Sequence, residues 1–311
     1  MTLHPPQHQT PEGLPRTRGE QKTESQLWRG ECRSHRALPT NLTVRTYDTP
    51  DHLGRHLVLD PRSLAYRRAW AGQSLHPTAW EPRLPVLDQQ HLIAQGIHTA
   101  DTYGLDADVD ALSSCTGNAA TALLSILLTK EQAIAAGLTL DDAARAQHFA
   151  LGLYADATEL DRWHEMTWPV QDFGSSGLGV SKAMRARGLI DQYGHATTAE
   201  ELCALLQTGP VLMGMPWHAA FSSPDADGFI DADRNWSASP IEGGHEVCVT
   251  ALEAVALEDD RLLPAHTILR FRNSWSSSWG DHGDGRLRLS TYLALRNQID
   301  ICQPRKDGVA P

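Results

Sequence analysis

Three residues far apart in the chain have types that could do chemistry together: Cys115, His245 and Asn273. Cys115 stands in LSSCTGNAATALL, where Ser113 and Ser114 precede an apolar run, so the thiol falls in the first turn of a helix. Backbone N–H groups and the positive end of the helix dipole there are expected to lower its pKa. His245 follows two glycines in IEGGHEVCV, and Gly244 lets a ligand approach the backbone beside it. Asn273 closes a strand in HTILRFRNSW. A thiolate beside an imidazolium is a strong nucleophile at neutral pH, and an amide oxygen that accepts the second imidazole N–H holds the ring in place. Trp275 and Trp279 just after Asn273 could keep water from that bond.

The elements that must position these residues follow from periodicity. Helices are expected at 115–130, 141–156, 177–188 and 198–207, the last with Thr198 as cap and Glu201 three residues on. Strands are expected at 210–215, 246–252, 266–272 and 285–289. Helices come first and strands second, which predicts an α+β chain with a helical lobe over about 85–205 and a sheet lobe over about 206–302. A cleft between two lobes is a usual place for chemistry.

The order and spacing of these pieces resemble the papain-like cysteine peptidases over roughly residues 55–302. In that family the His and Asn follow the nucleophile by about 130–150 residues; here they stand 130 and 158 residues after Cys115. NSWSSSWGDHGDGRLRL is similar to the family's Asn-Ser-Trp box and its Trp-Gly turn, GGHEVCVTAL to the box around its histidine, and GPVLMGMPW to the strand opening its sheet lobe. The resemblance implies a papain-like two-lobe α+β fold, with a central nucleophile helix in one lobe and an antiparallel sheet or barrel in the other. It implies a peptide or amide hydrolase with Cys115 as nucleophile, His245 as base and acid, and Asn273 as its orienter. It also implies that the backbone near Ser176 and Gly177, in DFGSSGLGV, pairs with an extended peptide.

The family's oxyanion glutamine usually lies about six residues before the nucleophile. Here Gln89, in PVLDQQ, precedes Cys115 by 26. Either the segment between them loops out and leaves Gln89 in place, or Gln95 takes the role; looping out is preferred because PVLDQ matches better. The enlarged segment also motivates a second class of function, a catalytically silent relative that binds peptides or a partner. An acyl transferase with the same triad is a third, since both chemistries share the nucleophile.

Composition narrows the rest. With 311 residues and a net charge of −11, the chain can bury a large core and is not suited to nucleic acid. The apolar run 111–128 contains Ser, Cys, Thr, Asn and Gly and reads as a buried helix, so no membrane segment is expected. The five cysteines form no CxxC pair and no signal peptide is visible, which points to reduced thiols and a cytoplasmic location. Residues 1–47 carry seven Lys/Arg against four Asp/Glu and five prolines. They read as a disordered leader before a catalytic domain over 48–311, or as a pro-segment or basic docking arm. SSPDADGFIDADRNW spaces Asp225, Asp227 and Asp231 like a calcium loop, but Arg234 stands where a glutamate is required, so a turn is expected. No metal or other cofactor is expected, and Cys203 and Cys248 read as core residues.

Overall fold

The computed structural model describes residues 53–57, 59–69, 72, 74–103, 109–161 and 167–307. The segment 1–47 lies outside the described residues.

An antiparallel sheet divides the core into two clusters. Its order is β2 (Gln192–Ala196), β9 (Asp300–Arg305), β3 (Val211–His218), β4 (Ile241–Ala254), β7 (Ile268–Arg272) and β8 (Asp284–Arg288), and β1 (Thr78–Ala79) adds to the far end of β4; β5 (Leu257–Glu258) and β6 (Arg261–Leu262) pair with each other, and a short helix α1 (Thr99–Tyr103) precedes the buried helices. Side chains alternate faces along a strand. Val211, Met213, Met215 and Trp217 of β3 therefore join one cluster with α6 (Ala199–Leu206) and α7 (Leu289–Leu295), and Leu212 joins the other. That second cluster is built by α2 (Cys115–Leu127), α4 (Ala143–Leu160) and α5 (Gly177–Ala186), with Cys248 and Cys302 reaching it from the sheet. α6 thus packs with the sheet side, within the span assigned by sequence to the helical lobe. Cys203 lies in the first cluster.

Several boundaries differ from expectation for local reasons. The helix expected over 115–130 is two. Thr129 and Gln132 form a capping box that starts α3 (Lys130–Ala135), and the chain turns to extended backbone at Leu128. β4 begins at Ile241, earlier than expected, so Gly243, Gly244 and His245 pair with β3 instead of preceding a strand. In the Asp-rich loop the Asp225 carboxylate accepts from the N–H groups of Asp227 and Phe229, and Asp231 holds Arg288 and Thr291. These are turn and tether roles.

α2 is buried along most of its length. It lies close to α4 just after the thiol: a methyl group on Gly117 would sit 2.2 Å from the Ala150 carbonyl oxygen. Asn118 ties its first turn to Ser114, and Gln147 of α4 donates to Asn118 Oδ1 at 2.6 Å. Among the described residues no helix is long and apolar enough to cross a membrane.

Candidate active site

Cys115 opens α2 with Ser114 as its N-cap, so the thiol stands in the first turn, as its sequence context required. Its position is fixed from below by a polar clamp. Asp172 accepts from the Ser113 N–H at 3.0 Å and from the Tyr154 hydroxyl at 2.5 Å, and that hydroxyl accepts from the Gly174 N–H at 3.0 Å. One buried knot thus joins the residues before Cys115, α4 and the loop carrying residues 172–175.

His245 and Asn273 meet across neighbouring strands. His245 Nε2 lies 2.7 Å from Asn273 Oδ1. The Ser274 N–H also donates to that oxygen at 2.8 Å, which fixes it as the acceptor end of the amide. Nε2 therefore carries a proton, and Nδ1 is the nitrogen left for exchange with a thiol. Trp217 and Trp275 each place their ring centroid 4.8 Å from the His245 imidazole, and Trp279 packs on both. The tryptophans of the Asn-Ser-Trp stretch cover the His–Asn bond. Trp217 is a third wall that the sequence did not flag, although its place near the end of an apolar strand was visible.

The described ends of the 91–112 insertion come together. The Leu92 N–H donates to the Asp110 carbonyl at 2.8 Å, closing the segment on itself, and Leu92, Ile97 and Leu112 are buried. Gln89 consequently lies at the loop before Cys115. Its Nε2 donates to the Leu112 carbonyl at 3.1 Å, and its Oε1 accepts from the Ser274 hydroxyl at 2.5 Å. Gln95 instead turns its amide back to the carbonyls of Asp88 and His91.

A short stretch of the chain itself, Leu53–Leu57, lies along the cleft. Arg55 N–H donates to the Gly244 carbonyl at 2.8 Å on one wall. On the other wall Ser175 N–H donates to the Gly54 carbonyl at 2.7 Å, and His56 N–H donates to the Ser175 carbonyl at 3.0 Å, in parallel pairing. Gly244 thus serves as a wall. The opposite wall is Ser175, one residue before the pair expected from the sequence. Ser176 is the extended N-cap of α5: its carbonyl accepts from the Val180 N–H, its hydroxyl accepts from the Gly179 N–H, and Gly177 is already helical. Only a glycine passes over the Cys115 thiol here: a methyl on Gly54 would lie 1.8 Å from the Ser113 carbonyl oxygen.

This cover changes the electrostatics. Burial, and then the Glu246 carboxylate, push the Cys115 thiol up to about 12, against the N–H groups of Glu246, Gly54 and Thr116 donated to its sulfur. The lowered value expected from the helix terminus is overturned in this conformation, because the sulfur is fully buried and the dipole acts against lost hydration.

Other buried acids shift the same way for the same reason: burial raises the Cys203 thiol to about 12 and holds the Tyr154 hydroxyl well above its usual range. An unfolded thiol loses its proton near pH 8.5 and the folded one keeps it, so the unfolded state binds fewer protons above that pH. Stability contributed by these groups is fully present below about pH 8.5 and is lost as pH rises toward the folded values. The thermal midpoint is therefore expected to fall steadily between pH 8 and pH 11, read by circular dichroism; a constant midpoint would contradict buried, protonated thiols.

In sequence, no family model and no curated protein matches the chain. In structure it is similar to xylellain, a cysteine protease from Xylella fastidiosa, with a TM-score of 0.54 and 15% identity over 85% of this chain and 99% of that one. It also aligns with digestive procathepsin L 3 of Tenebrio molitor, with a TM-score of 0.41 and 14% identity over 82% of this chain and 76% of that one. The proform of Amb a 11, a cysteine protease and ragweed pollen allergen, aligns with a TM-score of 0.43 and 13% identity over 76% and 67%. The xylellain likeness shows the fold, which is the papain-like two-lobe α+β fold. Identities this low carry the architecture and leave the chemistry to be argued from the residues.

Proposed function

We propose that this chain, built on a papain-like fold, is a cysteine hydrolase that cleaves peptide bonds, with Cys115, His245 and Asn273 as its triad. The observation that carries the reading is the 2.7 Å contact between His245 Nε2 and Asn273 Oδ1, enclosed by tryptophans on the strand whose next residue, Glu246, donates its N–H to the Cys115 sulfur.

In the proposed reaction the Cys115 thiolate attacks the scissile carbonyl carbon, and the carbonyl π electrons move to oxygen. The Cys115 N–H and the Gln89 amide stabilise that oxyanion. The Gln89 amide has two N–H groups, and the one held by Leu112 O sets the direction of the other. Collapse of the intermediate breaks the C–N bond as His245 Nδ1 gives its proton to the leaving amine, and a thioester remains. Water then attacks the thioester, loses a proton to Nδ1, and releases the acid and the Cys115 sulfur. Asn273 holds the ring in the same tautomer through both halves.

One observation favours the silent reading: the sulfur is sealed under Gly54 and its thiol is held protonated. The two are separated by alkylating the full chain with a thiol-directed peptide electrophile and locating the adduct by peptide mapping. The hydrolase reading expects the adduct on Cys115, with Cys203, Cys248 and Cys302 unmodified in their core positions, and hydrolysis lost in proportion. No adduct on Cys115, or full Cys115 modification with hydrolysis undiminished, would rule the triad out.

A further inference from the structure

At the edge of the sheet farthest from β8, a cavity of about 170 Å³ opens between β2, β9 and the C-terminal half of α6. Side chains alternate along β9, so Ile301 enters the first core cluster, and Gln303 and Arg305 follow it on the same face. Gln303 is spent on structure: its amide donates to the Leu205 carbonyl at 2.7 Å and to the Gly209 carbonyl at 3.1 Å. Ala204 and Leu205 supply an apolar wall. Arg68 closes the other side. Its backbone N–H donates to the His195 carbonyl at 2.8 Å, and its side chain lies across Gly194, where a methyl would come 2.6 Å from Arg68 Cγ.

The charges around this cavity do not cancel. Glu201 lines it, but both of its oxygens are engaged. One accepts from Arg67 Nε at 2.9 Å and Nη2 at 2.7 Å; the other accepts from the Thr197 N–H, the Thr197 hydroxyl and the Thr198 N–H. Arg68 reaches only a neutral amide, donating from Nη2 to Gln192 Oε1 at 2.7 Å, and Asp307 is bonded to the nitrogen end of that amide. Among the described residues Arg305 makes no ion pair and no side-chain hydrogen bond. Two guanidiniums thus line one cavity without a carboxylate of their own, in a chain whose net charge is −11. Like charges gathered in a concave site raise the local potential and concentrate anions there.

The donor geometry selects the anion. A carboxylate has two oxygens, which a single guanidinium fork already fills. A phosphoryl group has three free oxygens on a tetrahedron and can accept a fork from each of two elements. The space also exceeds one ion. A water takes up about 30 Å³ in the liquid, so a cavity of about 170 Å³ has room for a phosphoryl group and a small organic remainder against Ala204 and Leu205.

We propose that Arg68 and Arg305 form a binding site for a phosphoryl group, carried by a small phosphate monoester whose organic part packs on Ala204 and Leu205. The site lies on the other face of the sheet from α2 and stands independently of the hydrolase reading.

The test is equilibrium dialysis of the full chain at low ionic strength against phenyl phosphate, inorganic phosphate and benzoate, a carboxylate of similar shape. Phenyl phosphate is expected to bind once per chain, at least about tenfold more tightly than benzoate. Arg68 is exposed and Arg305 only half-buried, so Arg68→Ala and Arg305→Ala leave the core intact. Each should weaken phenyl phosphate at least about tenfold. Gly194→Ala keeps both arginines and the net charge but puts a methyl against Arg68 Cγ. It should weaken binding as well, which a diffuse attraction of anions to positive charge would not do. Inorganic phosphate binding more weakly than phenyl phosphate supports the monoester, whereas equal affinities overturn the organic half of the proposal and assign the site to free phosphate. No bound phenyl phosphate, benzoate bound as tightly, or binding indifferent to both Arg68→Ala and Arg305→Ala overturns the site.

Discussion

Gly54→Ala is expected to raise the rate of Cys115 alkylation by at least about a hundredfold at pH 8. A thiol held at about 12 is ionised to roughly one part in ten thousand at that pH, and the thiolate is the reacting species. A methyl on Gly54 would have to sit 1.8 Å from the Ser113 carbonyl oxygen, and Gly174 blocks retreat to the other side, since its own α-carbon substituent position is 1.7 Å from the Gly54 carbonyl oxygen. Backbone on both sides cannot give way, so the segment must lift. Lifting returns water to the sulfur, removes the main cause of the raised pKa, and leaves the helix terminus and the N–H groups of Glu246 and Thr116 to act. The sign is unambiguous: loss of burial lowers the thiol pKa and increases thiolate at every pH below the sealed value. An alkylation rate within threefold of the unmodified chain would show that the segment does not control the thiol.

In that opened background, Cys115→Ala and His245→Ala are each expected to lower kcat/KM by about a thousandfold or more. The double variant should lose no more than the worse single one, because a nucleophile without its base, or a base without its nucleophile, is equally idle. Asn273→Ala should fall by roughly ten- to a hundredfold, mostly in kcat, since it acts by holding Nε2 at 2.7 Å and not by touching substrate. Losses that add on a logarithmic scale across Cys115 and His245 would show two independent roles and end the triad.

The legible and illegible parts divide along a physical line. Capping and periodicity are local. The start of α2 at Cys115, the α6 capping box at Thr198 and Glu201, and strands β3, β4, β7 and β8 could be read because each depends on residues within a few positions of one another, whereas β2 and β9 were not read. The Thr129 box was equally local and still split a helix that apolar content had made continuous. The spacing of Cys115, His245 and Asn273 was legible only as a pattern.

Pairings across distance were not legible. The chain's own segment pairs with Ser175 and not with Ser176 and Gly177, since the Ser176 carbonyl is taken by the Val180 N–H at the start of the helix and Gly177 is already helical. Glu246 and Asp300 each stand beside apolar residues in the sequence, but nothing in the order of residues says they face one another. Nor could composition reveal that Gly54 crosses the sulfur, because that depends on how closely three backbones approach. The amino-acid order by itself determined the helix that presents the thiol and the strands that carry imidazole and amide. Tertiary structure alone decided that the thiol is sealed and protonated, and that the buried Glu246 and Asp300 carboxylates both lie against Gly177, because desolvation and charge proximity exist only once distant segments have excluded water together.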